Sequence, residues 1–230
     1  MNILDKIVRG ATLENMANAE GVIDVQALSD LYNRLSAKTI ITGFVYVSEN
    51  GRAMQPRQAG IVTQRQFKAW AELVKRVKAN KKVSLIMQLA HTGRQTTRDN
   101  AVGASSKKCS YFKTKVKTLT QPEISQIIDD FVSAALKAYK AGFDGIQIHV
   151  AHGYLIHQFL SPDTNNRQDK YQDYPLLLEE ILQKIKEKCP KSFKVGIKIS
   201  AADDRKLTLQ QTIKTLISRA LPLKQKYLRA

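Results

Sequence analysis

The sequence predicts an α/β fold in which parallel strands alternate with helices. Three observations predict it. Five short runs, at 6–12, 39–46, 83–90, 143–150 and 193–200, are nearly continuously apolar, as strands covered on both faces are. Between them, apolar residues recur at three- and four-residue steps, the period of an amphipathic helix. Each interval is long enough for the helical crossover that parallel neighbours require.

The elements justify themselves in order. The first run, KIVRGAT, is followed by a helix over 24–36 with Leu28, Leu31, Tyr32 and Leu35 on one face. The second, TIITGFVY, leads to a helix over 63–79. Thr63 and Gln66 have the spacing of a capping box, and Phe67, Trp70, Val74 and Val77 form the apolar face. The third, VSLIMQLA, precedes a helix over 120–141 that opens with TQPE. Thr120 and Glu123 repeat the capping spacing, and Pro122 sits just inside the start. Its stripe is Ile124, Ile127, Ile128, Phe131, Ala135 and Ala138, and Gly142 supplies the stop. After the fourth run, FDGIQIHV, comes a helix over 175–188 built on Leu178, Ile181, Leu182 and Ile185. After the fifth, FKVGIKIS, a helix over 207–220 carries Leu209, Ile213, Leu216 and Ile217.

Two architectures compete for this pattern, an open doubly wound sheet and a (β/α)8 barrel. No strand is followed by G-x-G-x-x-G or by G-x-x-x-x-G-K-[ST], which weighs against the first. In a barrel, chemistry gathers at the C-terminal ends of the strands. Those ends carry Thr12, Gly43, Gln88 with His91 and Arg94, His149 with His152, and Lys198.

Composition bounds the partners. A hydrophobic fraction of 43% allows a sizeable core, and no apolar run approaches the length of a membrane span. The acidic, weakly apolar N-terminus does not read as a secretory signal. Cys109 and Cys189 lie far apart in no metal or redox spacing, so both read as free thiols of a reducing compartment, and a cytoplasmic location is expected. The net charge of +17 is uneven: from Gln183 to Ala230 there are thirteen Lys or Arg against three Asp or Glu. Such a surface invites nucleic acid or another polyanion, but no zinc-finger spacing, RNP-like strand or Arg/Gly repeat accompanies it, and solvated helix faces are the favoured reading.

Three of the four histidines, His149, His152 and His157, fall within nine residues where a strand ends. Three readings stay open. Two imidazoles can start a metal site, although a catalytic zinc usually adds a third ligand and no H-E-x-x-H occurs. They can equally donate to a carbonyl oxygen gaining charge, with Tyr154 beside them as a proton source. They can also simply be packed at a loop.

The motifs resemble the Old Yellow Enzyme family of FMN-dependent oxidoreductases. RGATLENMANAEG is similar to that family's first strand and loop, IITGFVYVSENGR to its second strand, QLAHTGR to its third and VGIKIS to its fifth. The segment AGFDGIQIHVAHGYLIHQFLSP carries the most specific match, and the resemblance runs over about residues 5–217. It implies an FMN-bearing (β/α)8 barrel in which NAD(P)H reduces the flavin and the flavin passes hydride to an activated alkene or similar small-molecule acceptor. By resemblance, His149 and His152 bind the substrate oxygen and Tyr154 is the catalytic proton donor. Gln88 meets the pyrimidine edge of FMN, and Lys198, where the family usually has Arg, lies near flavin N1. Ala11 and Thr12, with Gly10, line another edge, and Gly43 belongs to the same cofactor set. No metal is implied.

About five strand–helix units are present and the last three are missing, so residues 1–230 are expected to form one partial barrel domain, with FMN phosphate binding weakened. The glycine-rich GGS-type motif that follows the tyrosine in the family is replaced by KYQDYPLLLEE. A homo-oligomer that completes or covers the open barrel is a further expectation. The alternative function is a truncated, non-catalytic remnant with a basic surface; a metal hydrolase ranks below both.

Overall fold

The computed structural model describes residues 7–200. Along the chain run β1 (Val8–Arg9), α1 (Val25–Arg34), β2 (Thr39–Tyr46), α2 (Gln64–Asn80), β3 (Ser84–Ala90), β4 (Val102–Gly103), β5 (Lys117–Thr118), α3 (Gln121–Lys140), β6 (Gly145–Val150), α4 (Leu155–Phe159), α5 (Leu176–Lys188) and β7 (Lys194–Ile199). Five strands form one sheet in the order β1-β2-β3-β6-β7, and every pairing in it is parallel. Alternating strands and helices around such a sheet make part of a barrel wall. The helix expected over 207–220 lies outside the described residues.

The main helices start and stop where their chemistry says they should. Asp24 caps α1 by accepting from Ala27 N. Both expected capping boxes are closed, Thr63 with Gln66 on α2 and Thr120 with Glu123 on α3. At the end of α3, Gly142 N donates to Tyr139 O and Phe143 N to Ala138 O. That is a Schellman turn, and it needs the left-handed φ of +91° that Gly142 supplies.

One sheet face packs under the helices. Ile40, Leu85, Met87, Leu89, Ile146, Ile148 and Val150 are all buried there, against Trp70, Leu73, Ile124, Phe131 and Ile181 of the same core. The other face carries the polar residues, and its register sets the site. Gln88 lies opposite Gln147, Gln147 opposite Gly196, and His149 opposite Lys198.

β1 is shorter than the expected 6–12: among the described residues only Val8 and Arg9 pair with β2, and Lys6 lies outside them. Past Arg9 the side chain replaces the strand. The Arg9 guanidinium donates to Ile41 O at 2.7 Å and to Thr12 O at 3.1 Å. It thereby fills a carbonyl that a longer β1 would have paired.

β2 carries a bulge. Ile41 pairs with Ile86 but Phe44 pairs with Gln88, so one extra residue is inserted at Thr42–Gly43. Gln88 N finds its acceptor in Thr42 Oγ1 at 3.0 Å. Gly43 N donates to both oxygens of Glu14, at 3.0 and 2.9 Å. Glu14 also accepts from Arg9 and from Tyr32 Oη, each at 2.7 Å. Any side chain on Gly43 would strike the Glu14 carboxylate and would put its Cβ 2.9 Å from Thr12 O. This carboxylate therefore clamps the loop after β1 onto the bulge. Burial and the adjacent Glu14 charge hold the Tyr32 phenol well above its ordinary pKa.

Three small elements have no counterpart among the expected ones. β4 and β5 pair in parallel as a two-stranded flap, and α4 is a five-residue helix directly after the histidine turn.

Candidate active site at the C-terminal ends of the strands

His149 is the next-to-last residue of β6, and the chain then turns sharply. His152 and Gly153 follow one another in left-handed backbone, with φ of +57° and +70°. Gly reaches that region freely; His does so against a steric penalty. The surroundings over-determine the turn. His152 N donates to Ser200 Oγ at 3.0 Å, and Gln95 Nε2 donates to His152 O. Tyr154 N donates to Ala151 O at 3.1 Å, Gly153 N to His157 Nδ1 at 2.7 Å, and Gln158 Nε2 to Gly153 O at 2.8 Å. Groups from β3's loop, α4 and the end of β7 thus hold the strained His152 and the glycine that follows it.

That turn brings the aromatic rings together. The Tyr154 ring stacks on His149 with centroids 4.5 Å apart and planes 22° from parallel. His152 stands edge-on to His149 at 4.9 Å. Phe44 closes the β2 side, edge-on to Tyr154 at 5.6 Å and to His149 at 6.4 Å.

The electrostatics follow from burial. The His149 pKa is lowered to about 3, first by desolvation and then by the nearby His152 and Lys198. The ring is therefore neutral at physiological pH. Its Nδ1 accepts from Ala151 N at 3.3 Å, so the proton resides on Nε2, which is left as a donor. His152 is shifted down as well, by burial and by Lys198. Burial pushes the Tyr154 phenol up to about 12 and keeps it protonated. Lys198, half-buried, is lowered by desolvation and has no anionic partner among the described residues.

Gln88 is 1% exposed and donates through Nε2 to Gln147 Oε1 at 2.6 Å. Gln147 did not figure among the expected site residues. Its signal was present in the alternation of GIQIHV, which puts residues 147 and 149 on the same strand face. Phe44 had no such signal, because the bulge decides which β2 residue lies level with Gln88.

His149, His152 and Tyr154 thus converge, Lys198 lies beside His149 in register, and Gln88 shares their face. Ala11 and Thr12 lie on the loop after β1, where Thr12 is exposed and its carbonyl is held by Arg9. Gly43 is tied into that loop through Glu14, so its N–H is already engaged. Two other histidines have structural duties. His157 Nδ1 accepts from Gly153 N. His91 is buried, with a pKa lowered to about 3 by burial, accepts from Gly93 N at 3.0 Å and meets Asn50 Oδ1 at 3.3 Å. Among the described residues, no group of three His, Cys, Asp or Glu could hold a metal ion. No helix there is long and apolar enough to cross a membrane.

Comparison with known proteins supplies the context. Residues 1–221 match the model of the NADH:flavin oxidoreductase / NADH oxidase family. The chain is 34% identical over 217 residues to an NADH oxidase of Thermoanaerobacter brockii, covering 86% of this chain and 32% of that protein. It is 38% identical over 173 residues to an NADPH dehydrogenase of Clostridium acetobutylicum, covering 72% of this chain and 50% of the relative. The chain thus spans at most about half the length of these two curated relatives. Among solved structures, the old yellow enzyme homologue from Zymomonas mobilis superposes with a TM-score of 0.74 at 27% identity, over 84% of this chain and 58% of that one. Morphinone reductase shares the fold with a TM-score of 0.76 over 84% of this chain and 57% of its own, at 24% identity. The fold is thus that of a TIM barrel, of which residues 7–200 form a half-barrel sheet.

Proposed function

The chain belongs to the NADH:flavin oxidoreductase / NADH oxidase family, and we propose that it acts as an FMN-dependent oxidoreductase that takes hydride from NAD(P)H and delivers it to an alkene conjugated to a carbonyl. The observation that carries this reading is the pairing of a neutral, Nε2-protonated His149 with a Tyr154 held protonated beside it.

The residues present fit a flavin. The row Phe44–Gln88–Gln147 ends in Gly196, where a Cβ would meet nothing closer than Ile146 O at 3.8 Å, so a flat ring has room over it. Beside that row Lys198 offers a positive charge with no anionic partner among the described residues, and Gln88 presents a carboxamide whose oxygen has no partner among them. When bound, the flavin supplies reversible hydride storage between reductant and acceptor. Gln88 and Lys198 hold and electrostatically support it, and Ala11, Thr12 and Gly43 line it from the β1–β2 side.

His149 and His152 donate to the acceptor's carbonyl oxygen. Because both imidazoles are shifted toward neutrality, they polarise that oxygen without a full positive charge. Tyr154 donates its phenolic proton to the alkene carbon that does not receive hydride. Phe44 walls the site and keeps water from the reacting atoms.

A cytoplasmic location belongs to the same reading, and the free, buried Cys109 and Cys189 support it. A second copy covering the open sheet is part of the same reading. The test is direct. The purified protein, supplied with FMN, should show flavin absorption, bleach under NADPH or NADH in anaerobic buffer, and recolour on adding a cyclic enone. Protein that stays colourless with both FMN and riboflavin would overturn the proposal and leave the non-catalytic remnant as the better account.

A further inference from the structure

We propose that Gln147 is a positioning residue for the flavin: it orients the carboxamide of Gln88, so that the two side chains together present an acceptor and a donor to the imide edge of the ring. This rests on the flavin reading above and adds a residue to it.

The argument starts from the inventory of a glutamine. Each carboxamide has one accepting oxygen and one donating nitrogen, and which end faces a ligand depends on what holds the other. Gln88 is almost wholly buried, and its Nε2 is committed to Gln147 Oε1 at 2.6 Å, a short bond. Its backbone N–H is fixed by Thr42 Oγ1, a consequence of the β2 bulge. Neither Gln88 Oε1 nor Gln147 Nε2 has a partner among the described residues. Two side-chain amides with one end of each engaged and the other open toward the site have hydrogen-bonding capacity that a ligand edge can take up.

The two open ends differ in kind. Gln88 offers an oxygen that only accepts, and Gln147 offers an N–H that only donates. The imide edge of a flavin is the converse: N3–H donates and the flanking carbonyl oxygens accept. Gln88 Oε1 therefore takes N3–H, and Gln147 Nε2 gives to the neighbouring carbonyl oxygen. The glycine at 196, opposite Gln147 in the register, leaves the space in which that edge lies. A carboxylate at 147 would still hold Gln88 in place but would have no proton to give.

The experiment compares riboflavin with 3-methylriboflavin, in which N3 can no longer donate, by quenching of flavin fluorescence on the intact chain. One hydrogen bond of about 1 kcal/mol corresponds to roughly a fivefold change in affinity, so wild type should prefer riboflavin by about fivefold or more. In Gln147→Met, which keeps the volume but cannot hold Gln88, that preference should shrink below about twofold. Gln147→Glu should weaken both ligands and yet keep the preference, because its carboxylate still accepts from Gln88 Nε2. A purely structural role for Gln147 would lower both affinities equally in the Met variant and leave the ratio unchanged, which would overturn the inference. So would a wild type indifferent to N3 methylation. Wild-type protein that quenches neither flavin would instead remove the flavin reading itself, and this inference with it.

Discussion

In the proposed reaction, Tyr154 and His149 divide the chemistry by what burial does to each. Raising a phenol to about 12 keeps a proton in place; lowering an imidazole to about 3 keeps a charge out. Tyr154→Phe should therefore slow reoxidation by an enone by about 10²–10⁴-fold and leave reduction by NAD(P)H nearly unchanged, as stopped-flow half-reactions would show. Equal slowing of both halves would contradict the role. The same burial has a pH signature. His91 and His149 have a pKa of 6.5 in the unfolded chain and about 3 when folded, so between those values the unfolded state binds more protons. Their contribution to stability is fully present above about pH 6.5 and is lost as pH falls toward 3. Urea midpoints measured from pH 7 to pH 4 should fall, and His91→Gln should flatten part of that slope. At this scale the placement of His149, His152, Tyr154, Gln88 and Lys198 at one end of the sheet was legible, because each lies among the last residues of, or just after, an apolar run. Glu14 and Phe44 were not, since their roles depend on a bulge that shifts the register by one residue and leaves no mark in the apolar pattern.

Elements were legible in proportion to their length. Strands 39–46, 83–90, 143–150 and 193–200 and four helices appear within a few residues of their expected bounds, because periodicity accumulates over many positions. β4, β5 and α4 have two, two and five residues, too few for any period, and β1 gave way to Arg9's side chain. The capping boxes make a graded test. Thr120→Ala should cost about 1 kcal/mol in chemical denaturation, the usual value for a lost N-cap. Gln66→Ala should cost more, on the order of 2–3 kcal/mol. Its buried amide closes the cap of α2 by accepting from Val62 N and Thr63 N, and it also donates to Glu20 O and Tyr46 Oη, both at 2.8 Å. A Gln66→Ala loss no larger than that of Thr120→Ala would show that these additional bonds contribute little.

For the whole molecule, the proposed reaction assigns the side chains gathered at the site to a flavin ring or to an acceptor's carbonyl oxygen, and assigns none of them to a phosphate. A polypeptide of residues 1–230 should accordingly bind FMN and riboflavin within about fivefold of one another, a difference of roughly 1 kcal/mol. A preference for FMN of about a hundredfold would locate a phosphate cradle within this stretch.

The order β1-β2-β3-β6-β7 also carries a kinetic consequence. Spatial order follows the order of synthesis, so each strand leaving the ribosome docks on the edge made by its predecessor in the sheet and becomes the next edge. Every pairing is nonlocal: Gln88 and Gln147, for example, are 59 residues apart. Contact order of that kind makes folding slow, on the order of milliseconds to seconds, and throughout that time the growing sheet exposes hydrogen-bonding edges, the outer side of β1 and the strand last added. The nascent sheet thus grows in a single direction with a sticky front. Its yield in a cell should depend on how quickly the next strand arrives more than on the stability of any strand already laid down.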